Sequence, residues 1–178
     1  MKAFVCVAAV LLAAGSVAAA QDTHAHASAK PVVVEIKNAQ GQNVGTATLS
    51  PGAKGVKIKL DIKDLPAGEH SMHIHQVSKC DAPDFKTAGP HFSPASSGGH
   101  DEHTHDSSPA GDIPNFSLIV GADGTAKVTV VAPNVTMGTD DHSVFSNGGT
   151  AIVIHAATNG TTGAAPARIA CGIITKPE

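Results

Sequence analysis

Met72-His73-Ile74-His75 is the stretch around which this chain is organised. In an extended strand successive side chains point to opposite faces, so the two histidines project one way and Met72 and Ile74 project the other. This spacing places the two imidazoles about 6–7 Å apart, close enough to share one metal ion. The stretch therefore predicts a strand with a metal-binding face and a core-facing side. A His-x-His pair alone is also compatible with two partly exposed histidines on a strand, so other motifs must decide.

Four further segments carry side chains suited to a metal site or an anion site. They are Gly89-Pro90-His91-Phe92, the histidine-rich loop after it, the apolar run that ends at His155, and Arg168 with Cys171 shortly behind it. Imidazole is the commonest metal ligand in proteins, and guanidinium is a permanent cation that binds anions.

The composition suits one globular domain. The chain has 178 residues, 42% of them hydrophobic, which allows a sizeable core. With five Phe and no Trp or Tyr, that core must be built from Val, Ile, Leu and Ala, a composition that favours strands. The formal net charge of −3 argues against nucleic acid or an anionic membrane surface as a partner.

Residues 1–20 are typical of a secretory signal peptide. Lys2 supplies the positive charge, residues 5–14 form an apolar run, and three alanines mark the cleavage site. The run is too short for a stable membrane anchor, so we expect no span after cleavage; an uncleaved anchor or a buried helix is the alternative. Residues 21–30 form a polar tail that we expect to be disordered, and residues 31–178 form the domain. The expected location is the periplasm.

Two of the three cysteines stay in the mature chain, because Cys6 lies in the signal peptide. In an oxidising compartment an even pair, Cys80 and Cys171, predicts one disulfide, and two separate buried thiols are the alternative. Closing a loop of about ninety residues contributes on the order of 4 kcal/mol in the chain-entropy model.

Alternation of apolar and polar residues predicts a series of short strands. They are expected at residues 32–37, 44–49, 56–63, 72–75, 115–120, 126–131, 142–145, 150–155 and 167–175. No segment of ten or more residues carries a helical apolar stripe. The predicted fold is all-β, an eight-stranded antiparallel Greek-key β-barrel with long loops or the related sandwich. Residues 77–114 are too long for an ordinary connection, which indicates a functional or disordered loop.

Six motifs in order resemble the exported bacterial copper/zinc superoxide dismutases. They are His73-Ile74-His75, Cys80, Ala88-Gly89-Pro90-His91-Phe92, Gly111-Asp112-Ile113-Pro114, Val153-Ile154-His155, and Arg168 followed by Ala170-Cys171-Gly172. Each motif is weak alone, but six in this order over nearly the whole mature chain are specific. The resemblance implies an oxidoreductase that converts superoxide to dioxygen and hydrogen peroxide by copper redox cycling.

The resemblance also implies roles for individual residues. The implied copper ligands are His73, His75, His91 and His155. Four neutral imidazoles suit Cu(II) and still allow Cu(I) when one ligand is released. In the family the third histidine, here His91, bridges copper to zinc and carries a proton to the product. Arg168 matches the arginine that attracts the superoxide anion, and Cys80 and Cys171 match the disulfide.

The zinc side departs from the family pattern. The resemblance places a zinc-binding histidine three positions before the aspartate, where this chain has Pro109, which cannot ligate. His103 or His105 could replace it from the same flexible loop. The predicted zinc ligands are therefore His91, His100, His105 and Asp112. A weak zinc site or a copper-only enzyme is the alternative.

Two further departures concern the segment after His155. Asn159 stands where the family usually has an aspartate that links the copper and zinc ligands, and an amide lacks the charge to orient both. Thirteen positions separate His155 from Arg168, and residues 159–163 carry no charge, whereas the family's longer loop helps to steer superoxide. We therefore expect a more open channel and a slower or less salt-sensitive reaction.

The leading hypothesis is an exported superoxide dismutase. The alternative is a periplasmic copper-binding protein with a dismutase-like fold and little turnover, which the altered zinc side and the short loop favour. Arg168 argues against the alternative, because copper storage needs no anion guide. A metal-free remnant is disfavoured since all four copper-type ligands are present. A homodimer is possible on this sequence, although no exposed aromatic patch marks its interface.

Overall fold

The protein is described here by a computed structural model that covers residues 30–94, 108–157 and 166–178. The predicted all-β fold is confirmed. The strands are β1 (Val32–Asn38), β2 (Asn43–Gly52), β3 (Gly55–Ile62), β4 (Gly68–His70), β5 (Met72–His75), β6 (Leu118–Val120), β7 (Ala126–Ala132), β8 (Thr150–His155) and β9 (Arg168–Ile174). Within these residues, short 3-10 turns lie at Lys86–Ala88 and Ser146–Gly148.

Seven strands form one antiparallel sheet in the order β5-β8-β9-β1-β2-β3-β7, and β4 pairs with β6 in a separate ribbon. Ser71 alone separates β4 from β5, so the two are one strand that breaks as it passes from the ribbon to the sheet. Counted in this way, the nine strands make eight, the number in the predicted eight-stranded fold. The order also places β5, β8 and β9 side by side, and these strands carry three copper-type histidines and Arg168.

The core is built from aliphatic side chains, as the composition predicts. In β3 the four apolar residues Val56, Ile58, Leu60 and Ile62 are fully buried or nearly so, and the residues between them are exposed. The same cluster includes Phe92 and side chains from every strand of the sheet. Each fully buried aliphatic side chain stabilises the fold by roughly 1.5–3 kcal/mol.

Two predicted strands differ from the structure. The strand predicted at residues 142–145 is wrong, because the Asp140 carboxylate accepts a backbone N–H two residues on at 3.0 Å and forms a turn. The strand predicted at 115–120 is shorter, because Asn115 adopts a left-handed φ of 54° and pairing begins only at Leu118.

A disulfide joins Cys80 to Cys171, with 5.7 Å between their Cα atoms, and confirms the predicted pairing. It ties the long loop after β5 to strand β9. The predicted signal peptide and the tail lie outside the described residues, apart from Lys30. None of the helices within the described residues has the length and the apolar character that a membrane crossing requires.

Candidate metal centre

Four histidines from distant parts of the chain meet at one point. The candidate ligand atoms of the set all lie within 4.8 Å of one another, and the set is His73, His75, His91 and His155. The ring centroids of His73 and His75 are 6.4 Å apart, as their spacing on one strand face predicts. The neighbouring strand β8 carries His155, whose ring centroid lies 5.1 Å from that of His73. The arrangement offers four nitrogen donors to a single ion.

Strand β5 has two distinct faces, as predicted. Met72 and Ile74 point into the main core and are buried. The histidine face is buried as well: His73 is 5% exposed and His75 is fully covered. Local alternation did not predict this burial, which arises because the backbone around His91 and Gly111 lies along β5 and the His91 ring stacks on His73.

His91 is held in place by the free edge of β5. The Phe92 N–H donates to the Ile74 carbonyl and the Gln76 N–H donates to the Pro90 carbonyl, each at 2.9 Å. The backbone on both sides of His91 is therefore pinned beside β5, and its ring stacks on His73 with the centroids 4.2 Å apart.

Hydrogen bonds to the backbone orient two of the candidate ligands. Nδ1 of His75 lies 2.9 Å from the Gly89 carbonyl oxygen, and Nδ1 of His155 lies 3.1 Å from that of Pro166. A carbonyl oxygen only accepts, so each Nδ1 donates, and in a neutral ring Nε2 keeps its lone pair. Both Nε2 atoms are buried without a hydrogen-bond partner in the described part of the chain. Such atoms are rare in native proteins, and two of them aimed at one point fit a metal ion.

The buried position also keeps the candidate ligands neutral. Burial, with a smaller contribution from the neighbouring imidazoles, lowers the pKa of His73 to about 3. The pKa of His75 is likewise lowered to about 3: burial is the main cause, the Gly89 hydrogen bond opposes it, and the Arg168 charge adds to it. The pKa of His155 is lowered by burial as well. Near neutral pH these rings need lose no proton to bind a metal.

The metal-free protein is therefore expected to lose stability as the pH falls from about 6.5 to about 3. Histidines of the unfolded chain have the ordinary pKa of 6.5 and take up protons in this window. His73 and His75 of the folded protein stay unprotonated there. Acid thus favours the unfolded state, by up to about 2 kcal/mol per histidine between pH 6.5 and about 5. Urea unfolding at several pH values measures this slope.

The control for this measurement is His142, an exposed histidine in the loop between β7 and β8. A His142→Gln variant keeps the slope, whereas His75→Gln flattens it. A free energy of unfolding that stays constant down to about pH 4 would contradict the low pKa values of the buried pair.

Asp112 lies against the far side of His91. Its Oδ1 is 2.6 Å from Nδ1 of His91, which leaves Nε2 of His91 for the four-histidine cluster. Gly111 makes this contact possible, because a Cβ there would overlap the Ile74 carbonyl oxygen and lie 2.9 Å from the Phe92 nitrogen. The structure thus brings together two predicted zinc ligands. The others, His100 and His105 with the alternative His103, lie outside the described residues, as does Asn159.

Arg168 lies beside the cluster, paired with His155 across β8 and β9. Its Nη1 donates to the Phe85 carbonyl and its Nη2 to the Gly89 carbonyl, both at 2.8 Å. Burial lowers the pKa of Arg168 and the Asp84 carboxylate opposes this, but a guanidinium keeps its charge at neutral pH. The Gly89 carbonyl therefore links the arginine directly to the candidate ligand His75.

Sequence reasoning missed one residue of this site. His70 is 2% exposed, and its Nδ1 lies 2.9 Å from the His155 carbonyl oxygen. Its Nε2 lies at the same distance from the Pro66 carbonyl oxygen. The ring thereby fixes the backbone of His155 from behind. The sequence feature that could have revealed His70 is its position three residues before the His-x-His pair. Strand alternation does not place a residue at that spacing on the same face as the pair.

Comparisons with known proteins agree with this geometry. The family model described as copper/zinc superoxide dismutase matches residues 43–174. The chain is 38% identical over 146 residues to Cu-Zn superoxide dismutase 1 of Aquifex aeolicus, which covers 79% of this chain and 85% of the relative. It is 34% identical over 145 residues to the Cu-Zn superoxide dismutase of Caulobacter vibrioides, covering 78% and 82%.

Two solved structures are similar as well. A SOD-like protein from Bacillus subtilis matches with a TM-score of 0.65 at 30% identity, covering 79% of this chain and 96% of that one. The Cu/Zn superoxide dismutase from Brucella abortus matches with a TM-score of 0.61 at 25% identity, covering 82% and 99%.

Proposed function

This chain belongs to the copper/zinc superoxide dismutase family, and from that membership we propose that the four-histidine cluster is the catalytic copper site of an exported enzyme. The protein is a superoxide dismutase, an oxidoreductase that converts superoxide to dioxygen and hydrogen peroxide. One observation carries the assignment of the site: four imidazoles have their ligand atoms within 4.8 Å of one another. Relatives that are named as dismutases over most of this chain favour turnover over copper holding.

Copper bound to this cluster supplies the one-electron redox chemistry of the reaction. His75 and His155 offer Nε2, because their Nδ1 atoms are committed to backbone carbonyls. His91 differs from them, since its Nδ1 faces the Asp112 carboxylate at 2.6 Å. Its Nε2 can hold a metal or a proton while Nδ1 keeps its partner. We assign to this atom the delivery of one of the two protons that peroxide requires, the other coming from solvent.

Arg168 is the proposed anion guide. Its plane is fixed by two hydrogen bonds to backbone carbonyl oxygens. These use two of the five guanidinium N–H groups, so three are left for an anion. The nearest other cation along the loop, Lys86, forms an exposed ion pair with Asp84 at 2.9 Å and adds little net charge. Among the described residues, we therefore assign the attraction for superoxide to one partly buried cation, Arg168.

Replacing Arg168 with alanine is expected to lower kcat/KM for superoxide about tenfold, because the local field that concentrates the anion is lost. Copper content stays unchanged, since the guanidinium binds no metal. Dismutation rates and elemental analysis on the same preparations measure both. Lys127→Ala is the matched control, since it removes one charge from an exposed ion pair on β7 and keeps the full rate.

The dependence of kcat/KM on ionic strength is a second test of the role of the Arg168 charge. With a single guiding cation, kcat/KM should fall by no more than about threefold between low and physiological ionic strength, and still less in Arg168→Ala. A tenfold fall, or an Arg168→Ala variant with the full rate, would show that another group steers the substrate.

We also propose a zinc site next to the copper site, with His91 and Asp112 as two ligands and histidines of the 100–105 segment as the others. The carboxylate against Nδ1 of His91 supports it. Elemental analysis of the mature protein tests it: one copper and one zinc per chain support the site, whereas copper alone assigns the histidine-rich loop another purpose.

The proposed location is the periplasm, with residues 1–20 removed as a signal peptide. The disulfide supports an oxidising compartment. N-terminal sequencing of the protein from the periplasmic fraction should begin at Gln21. A homodimer stays a prediction, which sedimentation of the mature protein tests.

A further inference from the structure

Phe85 has an unusual conformation for a bulky residue. Its backbone lies in the left-handed region, with φ 52° and ψ 23°. Side chains other than glycine, asparagine and aspartate seldom adopt this conformation, and it persists only where the surroundings hold it. Here the surroundings are a small buried cluster against the wall of β8 and β9, which contains Ala88, Ala151, Val153 and Cys171. The ring itself is 2% exposed.

The left-handed turn directs the Phe85 carbonyl at the site. The Phe85 N–H donates to the Asp81 carbonyl at 3.0 Å, which closes the turn before it. The Phe85 carbonyl then accepts the Ala88 N–H at 3.1 Å and Nη1 of Arg168 at 2.8 Å. One edge of the guanidinium is thus held by the Phe85 carbonyl, and the direction of this carbonyl depends on the left-handed conformation of Phe85.

We propose that Phe85 is a positioning residue for Arg168. The buried ring anchors the left-handed turn, and the turn holds the carbonyl that fixes Nη1, while Gly89 fixes Nη2. The inference rests on the proposed function of Arg168 as the anion guide. In this proposal the apolar Phe85 side chain touches no reacting atom. It controls the direction of Arg168, the only arginine in the chain.

Glycine and leucine substitutions separate the ring from the backbone. Phe85→Gly keeps the left-handed conformation free of strain but removes the anchor, so the carbonyl can turn away. Phe85→Leu keeps a large apolar side chain in the cluster. If the anchor matters, glycine disrupts the arginine and leucine restores it; if only the backbone conformation matters, glycine is harmless.

The first measurement needs no metal. Because the chain has one arginine, its guanidinium signals in nitrogen-15 NMR are assigned without ambiguity. In the metal-free native protein the hydrogen bonds to two carbonyl oxygens should slow the rotation of the guanidinium group and keep the Nη1 and Nη2 signals separate. In Phe85→Gly the two signals should merge. Phe85→Leu should keep them apart. Unchanged signals in Phe85→Gly would overturn the inference.

The second measurement is the rate of the copper-loaded protein. Phe85→Gly should lower kcat/KM about fivefold with the copper content unchanged, and Phe85→Leu should stay within about twofold of the native rate. Ile58→Ala, a fully buried core residue on β3, controls for lost stability and should keep the native rate.

An Arg168→Ala background separates the two hypotheses. There Phe85→Gly should cause no further loss, because the residue acts through the arginine. An equal loss in both backgrounds would overturn the inference. An Arg168→Ala protein with the full rate would instead refute the proposed role of the arginine, and the NMR signals would still decide whether Phe85 orients it.

Discussion

Replacing His75 with alanine is expected to abolish tight copper binding and to lower superoxide turnover by at least about a hundredfold. Loss of a residue that only orients a metal ligand commonly costs 10–100-fold in affinity, so loss of a ligand should cost more. His75 is fully buried, its Nδ1 is committed to the Gly89 carbonyl, and its Nε2 faces the cluster. Copper per chain and the dismutation rate are the measurements.

The matched control is His142→Ala, which removes an exposed histidine whose Nδ1 contacts the Asn134 carbonyl. It should keep native copper and native rate. Thermal unfolding of both metal-free variants shows whether a loss of activity reflects a loss of fold. Native copper content and rate in folded His75→Ala would place the copper elsewhere and refute the site.

Removing the disulfide is expected to lower the free energy of unfolding by about 4–5 kcal/mol. The bond joins residues 91 positions apart, so it restricts the unfolded chain strongly in the chain-entropy model. The suitable variant carries alanine at both Cys80 and Cys171, because Cys171 is 1% exposed and a serine there would bury an unpaired hydroxyl. Urea unfolding of the metal-free protein measures the loss.

The disulfide also bears on the reaction. Cys171 follows Arg168 by three residues and packs in the cluster that surrounds Phe85. The double variant should therefore lose part of its rate in addition to its stability. Native protein treated with a reductant should match the double variant in both respects. A variant as stable as the oxidised native protein would show that the bond restrains little.

Much of the fold follows from local patterns that could be recognised in the sequence. Alternation at residues 56–63 predicted β3 with its buried face, because side-chain direction in a strand repeats every two residues. The same rule placed His73 and His75 on one face, and their ring separation of 6.4 Å agrees. The strand predicted at 142–145 was wrong because the Asp140 carboxylate accepts the His142 N–H and forms a turn.

The sequence by itself determined most of the strands, the cysteine pair and the residue types that could bind a metal, because each of these depends on a repeat or a chemistry carried within a few residues. Only the tertiary structure decided the rest. The Phe85 carbonyl and Arg168 are 83 positions apart, and the His70 ring and the His155 carbonyl are 85 apart. Such contacts have no local signature, since they form only when strands from both halves of the chain are packed side by side.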